Sequence, residues 1–133
     1  MPVRAYSQSV GTLLGSPPKI VVWIRTSRRD LRAFPETAQK HIGFALKSAQ
    51  FGEKHADAKP LRGFGGASVL EIVEDYDRDT YRAVYTVEFK EVVCVLHAFQ
   101  KKSKSGSATP RRDLDLIKER LRYAKELHDK KLI

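Results

Sequence analysis

Arg82 sits in the run Tyr81-Arg-Ala-Val-Tyr85, among valine and threonine in a strand-like pattern. An unpaired guanidinium in such a place is costly to bury, so it either pairs with an acid or lines an open groove. Lys101 and Lys102 follow the apolar run Val92–Phe99, and Lys104 comes soon after them. Lys59 and Arg62 belong to an earlier loop, and Arg111 to the last helix. A convergent set of such cations could hold an RNA backbone phosphate, although each reads equally well as solvated charge. RNA cleavage can proceed without a metal. The 2′-hydroxyl attacks the adjacent phosphorus, one proton is taken and another given, and the extra charge at phosphorus must be offset. Arginine suits the last task, and a lysine or histidine can move protons. His97 is the nearest histidine in sequence. It falls at period two with Val93 and Val95, so it reads either as a proton carrier or as a core histidine with satisfied ring nitrogens.

Other chemistries find little support. His41, His55, His97, His128 and Cys94 are scattered, without an HxxxH or CxxC pair, so no metal site is expected. Cys94 lies in an apolar strand that should raise its thiol pKa, which argues against a nucleophile. The glycines of Lys59-Pro-Leu-Arg-Gly-Phe-Gly-Gly66 lack the GxxxxGK[ST] spacing, and neither GxSxG nor a dinucleotide fingerprint is present. Glu74, Asp75, Asp77 and Asp79 crowd a turn and read as a solvated surface.

The elements that must carry these residues follow from periodicity. Lys19–Arg25 is β-branched and forms a first strand. Ser27 stands three residues before Asp30, a capping pattern for a short helix. Pro35 opens a second helix, in which Ala38, Ile42, Ala45 and Ala49, with Leu46, share one face, and Gly52 ends it. His55–Gly66 is a turn-rich loop. Val69–Asp75 and Thr80–Phe89 form an antiparallel hairpin, with Arg82, Val84, Thr86 and Glu88 on one face. Val92–Phe99 is apolar on both faces and reads as an interior strand, with Val93, Val95, His97 and Phe99 together on one of them. Thr109 as N-cap and Pro110 as first residue begin a last helix with Leu114, Ile117, Leu121 and Ala124 facing inward, and Arg120 among the outward cations. The expected class is α+β: a small twisted, mainly antiparallel sheet with its helices gathered on one side.

The 133 residues suffice for one core, expected over residues 19–133 behind a flexible leader at 1–18. The net charge of +9 is uneven. Residues 1–32 hold six Lys or Arg against one acid, 33–99 eight against ten, and 100–133 eleven against five. Basic ends around a near-neutral middle favour a polyanion or an acidic protein. No apolar run approaches the ~20 residues of a membrane span. A lone cysteine and the lack of a secretion signal fit a cytoplasmic protein.

Several stretches together carry a resemblance. They are Asp30-Leu-Arg-Ala-Phe-Pro35, Lys59–Gly66, Tyr81-Arg-Ala-Val-Tyr85, Val95-Leu-His-Ala-Phe-Gln-Lys-Lys-Ser103 and Thr109-Pro110. The chain resembles the phage-derived branch of the RelE/HigB toxins of type II toxin–antitoxin systems, over about Lys19 to His128. The resemblance implies a microbial-RNase-like α+β fold, no cofactor, and cleavage of messenger RNA on the ribosome. Arg82 matches the strand arginine placed at the scissile phosphate, and Lys101 and Lys102 match basic residues after the last strand. A cognate antitoxin, often a helix-turn-helix DNA-binding protein, is implied as partner. The chain departs from the pattern at Val69–Asp75, which carries Glu71 and Glu74 and has Val73 where a basic residue is frequent, and at the late tyrosine, for which Tyr123 is a poor match. ParE-like inhibition of DNA gyrase and simple RNA binding are the alternatives.

Overall fold

A computed structural model describes residues 17–102 and 108–133. Of the leader expected at 1–18, only Pro17 and Pro18 fall among these, and Lys104 lies outside them. Strand β1 (Ile20–Trp23) leads into helix α1 (Ser27–Arg32) and helix α2 (Glu36–Gln50). Strands β2 (Lys59–Pro60), β3 (Val69–Tyr76), β4 (Asp79–Thr86) and β5 (Val92–Lys101) follow, and helix α3 (Arg111–Asp129) comes last. The sheet order is β1-β5-β4-β3-β2. The β2–β5 pairings are antiparallel, while β1 lies parallel to β5. Burial of β5 from Val92 through Phe99 bears out its expected interior place.

The helices are not gathered on one side. Leu31, Phe34 and the inner face of α2 pack on Leu70, Ile72, Ala83, Tyr85, Val93, Val95 and Ala98. Ile117 and Ala124 of α3 pack on the opposite face, against Val69, Val84, Cys94, Leu96 and Phe99. A strand apolar on both faces needs cover on both, and α3 supplies the second layer.

Two helix starts also differ from expectation. Thr26, not Ser27, precedes α1, and its hydroxyl donates to the Asp30 carboxylate at 2.8 Å. Ser27 is buried, and its hydroxyl donates to the Val95 carbonyl at 3.1 Å. Pro110 occupies the cap position of α3, while the Thr109 hydroxyl donates across the fold to Glu71 at 3.0 Å. The expected end of α2 holds: Gly52 has φ +79°, and the Glu53 amide donates back to the Ser48 carbonyl.

A bulge in β5 decides which face the site residues occupy. Tyr85 is opposite Val95, and the next residue of β4, Val84, is opposite His97, so Leu96 is the extra residue. The carbonyls beside this irregularity have donors outside β4. Val95 O accepts from the Ile24 amide at 3.0 Å as well as from Ser27, and Leu96 O accepts from Arg120 Nη1 at 3.0 Å. Beyond the bulge the alternation is reversed. His97 and Phe99 therefore face α3, not the α2 side with Val93 and Val95 as period two predicted.

Candidate functional site

The reversal places His97 on the face that carries Arg82. Across the sheet, Lys59 pairs with Glu71, Glu71 with Val84, and Val84 with His97. The next row is Val73, Arg82 and Phe99, and the one beyond it Asp75, Thr80 and Lys101. Directly paired residues share a face. Lys59, Glu71, Arg82, His97 and Lys101 thus occupy one side of four strands, with His97 against α3, Glu71 and Lys101 against the segment leading into it, and Lys59 exposed.

Arg82 is 3% exposed. Its Nη1 lies 3.5 Å from Glu71 Oε2, and its Nε lies 3.5 Å from the Thr80 hydroxyl. Of the two readings of a strand arginine, pairing with an acid is the one realised. Glu71 is the acid, held between the Arg82 guanidinium and the Thr109 hydroxyl. Lys101 is half-buried and donates through Nζ to the Ala108 carbonyl at 3.1 Å. Residues 108–109 are therefore tied to the site by Lys101 and Glu71.

His97 is buried and stacks on Phe99, with ring centroids 4.8 Å apart. Its Nε2 lies 2.8 Å from Asp113 Oδ1, and Arg120 Nη1 lies 3.4 Å from its Nδ1. The guanidinium can only donate, so Nδ1 is the acceptor and Nε2 carries the proton given to Asp113. Burial lowers the His97 pKa below its usual range, against the opposing pull of Asp113. Arg120, expected among the outward cations, is 8% exposed. It links Leu96 O, His97 and, through Nη2, the Thr26 hydroxyl at 3.1 Å.

Lys102, Arg62 and Arg111 stand exposed outside these rows, and Arg111 faces Asp115 in the first turn of α3 at 3.4 Å. Cys94 is buried and its pKa is pushed up to about 11 by desolvation, as its apolar strand predicts. Sequence reasoning missed Glu71, Thr109, Asp113 and Arg120 as site residues. Glu71 left a signal, an acid in a strand otherwise fit for burial beside an arginine strand. Asp113 and Arg120 left none, because their contacts depend on how α3 crosses the bulge.

On the other face, histidines scattered in sequence come together. His41 on α2 and His55 and Asp57 in the turn after it bring their donor atoms within 4.8 Å of one another.

This fold is similar to that of RelE. The Escherichia coli toxin RelE, solved free as an arginine-substituted mutant, is 18% identical, with a TM-score of 0.51, over 80% of this chain and 97% of that one. The RelBE2 toxin–antitoxin complex of Mycobacterium tuberculosis contains a chain 24% identical, with a TM-score of 0.40, over 65% of this chain and 94% of that one. In sequence, residues 29–122 match the family described as phage derived protein Gp49-like, and the chain belongs to that family. No curated protein matches the chain in sequence.

Proposed function

We propose that this protein is the toxin of a type II toxin–antitoxin system and acts as a ribosome-dependent messenger RNA endonuclease. The observation that carries the reading is the Arg82–Glu71 pair, set on the same sheet face as Lys59 and Lys101. An acid, a guanidinium and a lysine are sufficient for metal-independent cleavage of RNA. The 2′-oxygen bonds to phosphorus and gives its proton to Glu71. The bond from phosphorus to the 5′-oxygen breaks, and that oxygen takes a proton from Lys101. Arg82 offsets the charge gathering on the phosphoryl oxygens. Thr109 supports the assignment to Glu71, because an alcohol already donates to that carboxylate at 3.0 Å. A ribose hydroxyl would replace it, and a phosphate oxygen would take the Lys101 bond now made to Ala108.

Lys102, Lys104, Arg62 and Arg111 are proposed as contacts to the RNA backbone around this centre. Both ring nitrogens of His97 are engaged, so its proposed part is to position β5 against α3 rather than to exchange protons with substrate. The partner proposed to silence the toxin is a cognate antitoxin, and the compartment is the cytoplasm. Among the described residues no helix is long and apolar enough to cross a membrane.

The test is to induce the protein briefly and map RNA 5′ ends, beside Lys101→Ala and Glu71→Gln variants checked for folding by circular dichroism. New ends within translated transcripts, lost in the folded variants, are expected. Growth arrest with intact transcripts and damaged DNA would instead assign a gyrase-directed toxin. RNA affinity without cut ends would leave a binding module.

A further inference from the structure

The geometry points to a second site, for a divalent transition metal of the zinc type, held by His41, His55 and Asp57 and supported by Glu74. Its ligands are none of the residues of the ribonuclease reading, although Lys59 and Glu71 line the same cleft. His41 Nε2 is 2.8 Å from Asp57 Oδ2, His55 Nδ1 is 4.0 Å from that same oxygen, and the two imidazole rings are 5.5 Å apart. Ligand atoms around a tetrahedral zinc lie about 3.3 Å from one another, given bonds of about 2.0–2.1 Å. The three donors lie within 4.8 Å of one another, one pair closer than that spacing and another wider, and movement of the exposed turn carrying His55 and Asp57 would bring them to it.

Behind His41 is the feature that distinguishes a metal ligand from an ordinary ion pair. Glu74 Oε1 approaches the Nδ1 of His41 at 2.5 Å, from the strand beneath the helix. That nitrogen is buried and makes no well-directed hydrogen bond. A carboxylate that accepts from one ring nitrogen fixes the proton there and turns the lone pair of the other toward a metal, and a modest realignment of Glu74 would complete that bond. Here the other nitrogen is Nε2, which faces Asp57 and the second histidine. His55 Nδ1 at present accepts the Asp57 amide at 3.0 Å, and binding would exchange that bond for the metal. Two imidazoles and one carboxylate leave a fourth position for water. Nitrogen-rich, borderline-soft sets of this kind favour zinc, cobalt or nickel over magnesium or calcium. The site is accessible, because His41, Asp57 and Glu74 line an open cleft of about 470 Å³ at the uncovered edge of β3. A bound ion would fasten the turn to α2 and β3, directly ahead of Lys59.

The competing arrangement is a protonated His41 bridging Asp57 and Glu74 with no ion, and experiment separates the two. Protein without a histidine tag is stripped with chelator and dialysed against graded Zn²⁺. Bound metal is measured by elemental analysis and thermal stability by circular dichroism, and Co²⁺ is used as a coloured substitute. The expected result is saturation at one ion per chain, a rise in Tm, and a tetrahedral cobalt spectrum. His55→Ala and Asp57→Asn lie in a surface turn and should keep the fold while weakening binding at least tenfold. Glu74→Gln should weaken it about tenfold through His41 alone. Absence of saturable binding by the wild-type protein overturns the site. So does binding that survives undiminished in the His55→Ala/Asp57→Asn double variant.

Discussion

Arg82 and Glu71 must be considered together, because each is a charge removed from water. Breaking a buried pair by deleting one partner leaves the other uncompensated, at about 3–5 kcal/mol. Arg82→Ala should therefore lower stability by that order, and Arg82→Met/Glu71→Leu by less than Arg82→Ala alone. Denaturant unfolding of the variants measures both, and a double variant less stable than the single would show that the pair is not coupled. His97 gives a pH-dependent prediction. Burial lowers its native pKa, so the unfolded chain binds more protons once the pH falls below about 6.5, the usual histidine value. The stability this residue contributes is complete above that value and is lost as the pH falls toward the lowered native pKa. Tm should fall between pH 7 and pH 5 more steeply in the wild-type protein than in His97→Gln. Equal slopes would mean that another group carries the titration.

At the scale of elements, the bulge in β5 explains both what the sequence revealed and what it concealed. Strict alternation places every strand residue correctly until one extra residue enters the ladder, and every later side chain then changes face. The inner face of α2 was legible from Ala38, Ile42, Ala45 and Ala49 because nothing interrupts that helix. His97 was not, because Leu96 looks like any other apolar strand residue. Arg120 illustrates the same limit, since a basic residue beside an apolar helical stripe reads as outward until the carbonyl it must satisfy is known. Its bond to Leu96 O makes it a brace for the bulge. Arg120→Met keeps most of the volume and removes the donors, and should cost roughly 2 kcal/mol by loss of charged hydrogen bonds in a buried place. Amide exchange at Leu96–Ala98 should accelerate in that variant more than exchange in α2. Uniform acceleration would deny Arg120 its local role.

For the whole molecule, the α+β class and the strand interior followed from hydrophobic periodicity, as did the hairpin. The helices were expected on one side, yet the feature that decides their two-sided placement was visible in the sequence: a last strand apolar on both faces, which one layer of helix cannot cover. The positive charge lies mainly outside the near-neutral middle, yet two of the three residues of the proposed chemistry, Glu71 and Arg82, lie in that middle and offset each other, and Lys101 joins them from the basic C-terminal stretch. On the proposed reading, the exposed cations serve association with RNA and the sheet face serves the reaction. The most direct measurement of this division is the chemistry of the RNA ends made by purified protein on translating ribosomes. Attack by the 2′-oxygen predicts a 5′-hydroxyl on one fragment and a 2′,3′-cyclic phosphate on the other, formed by the wild-type protein and lost in folded Lys101→Ala. Intact messenger, or fragments with 5′-phosphate and 3′-hydroxyl ends, would contradict the account.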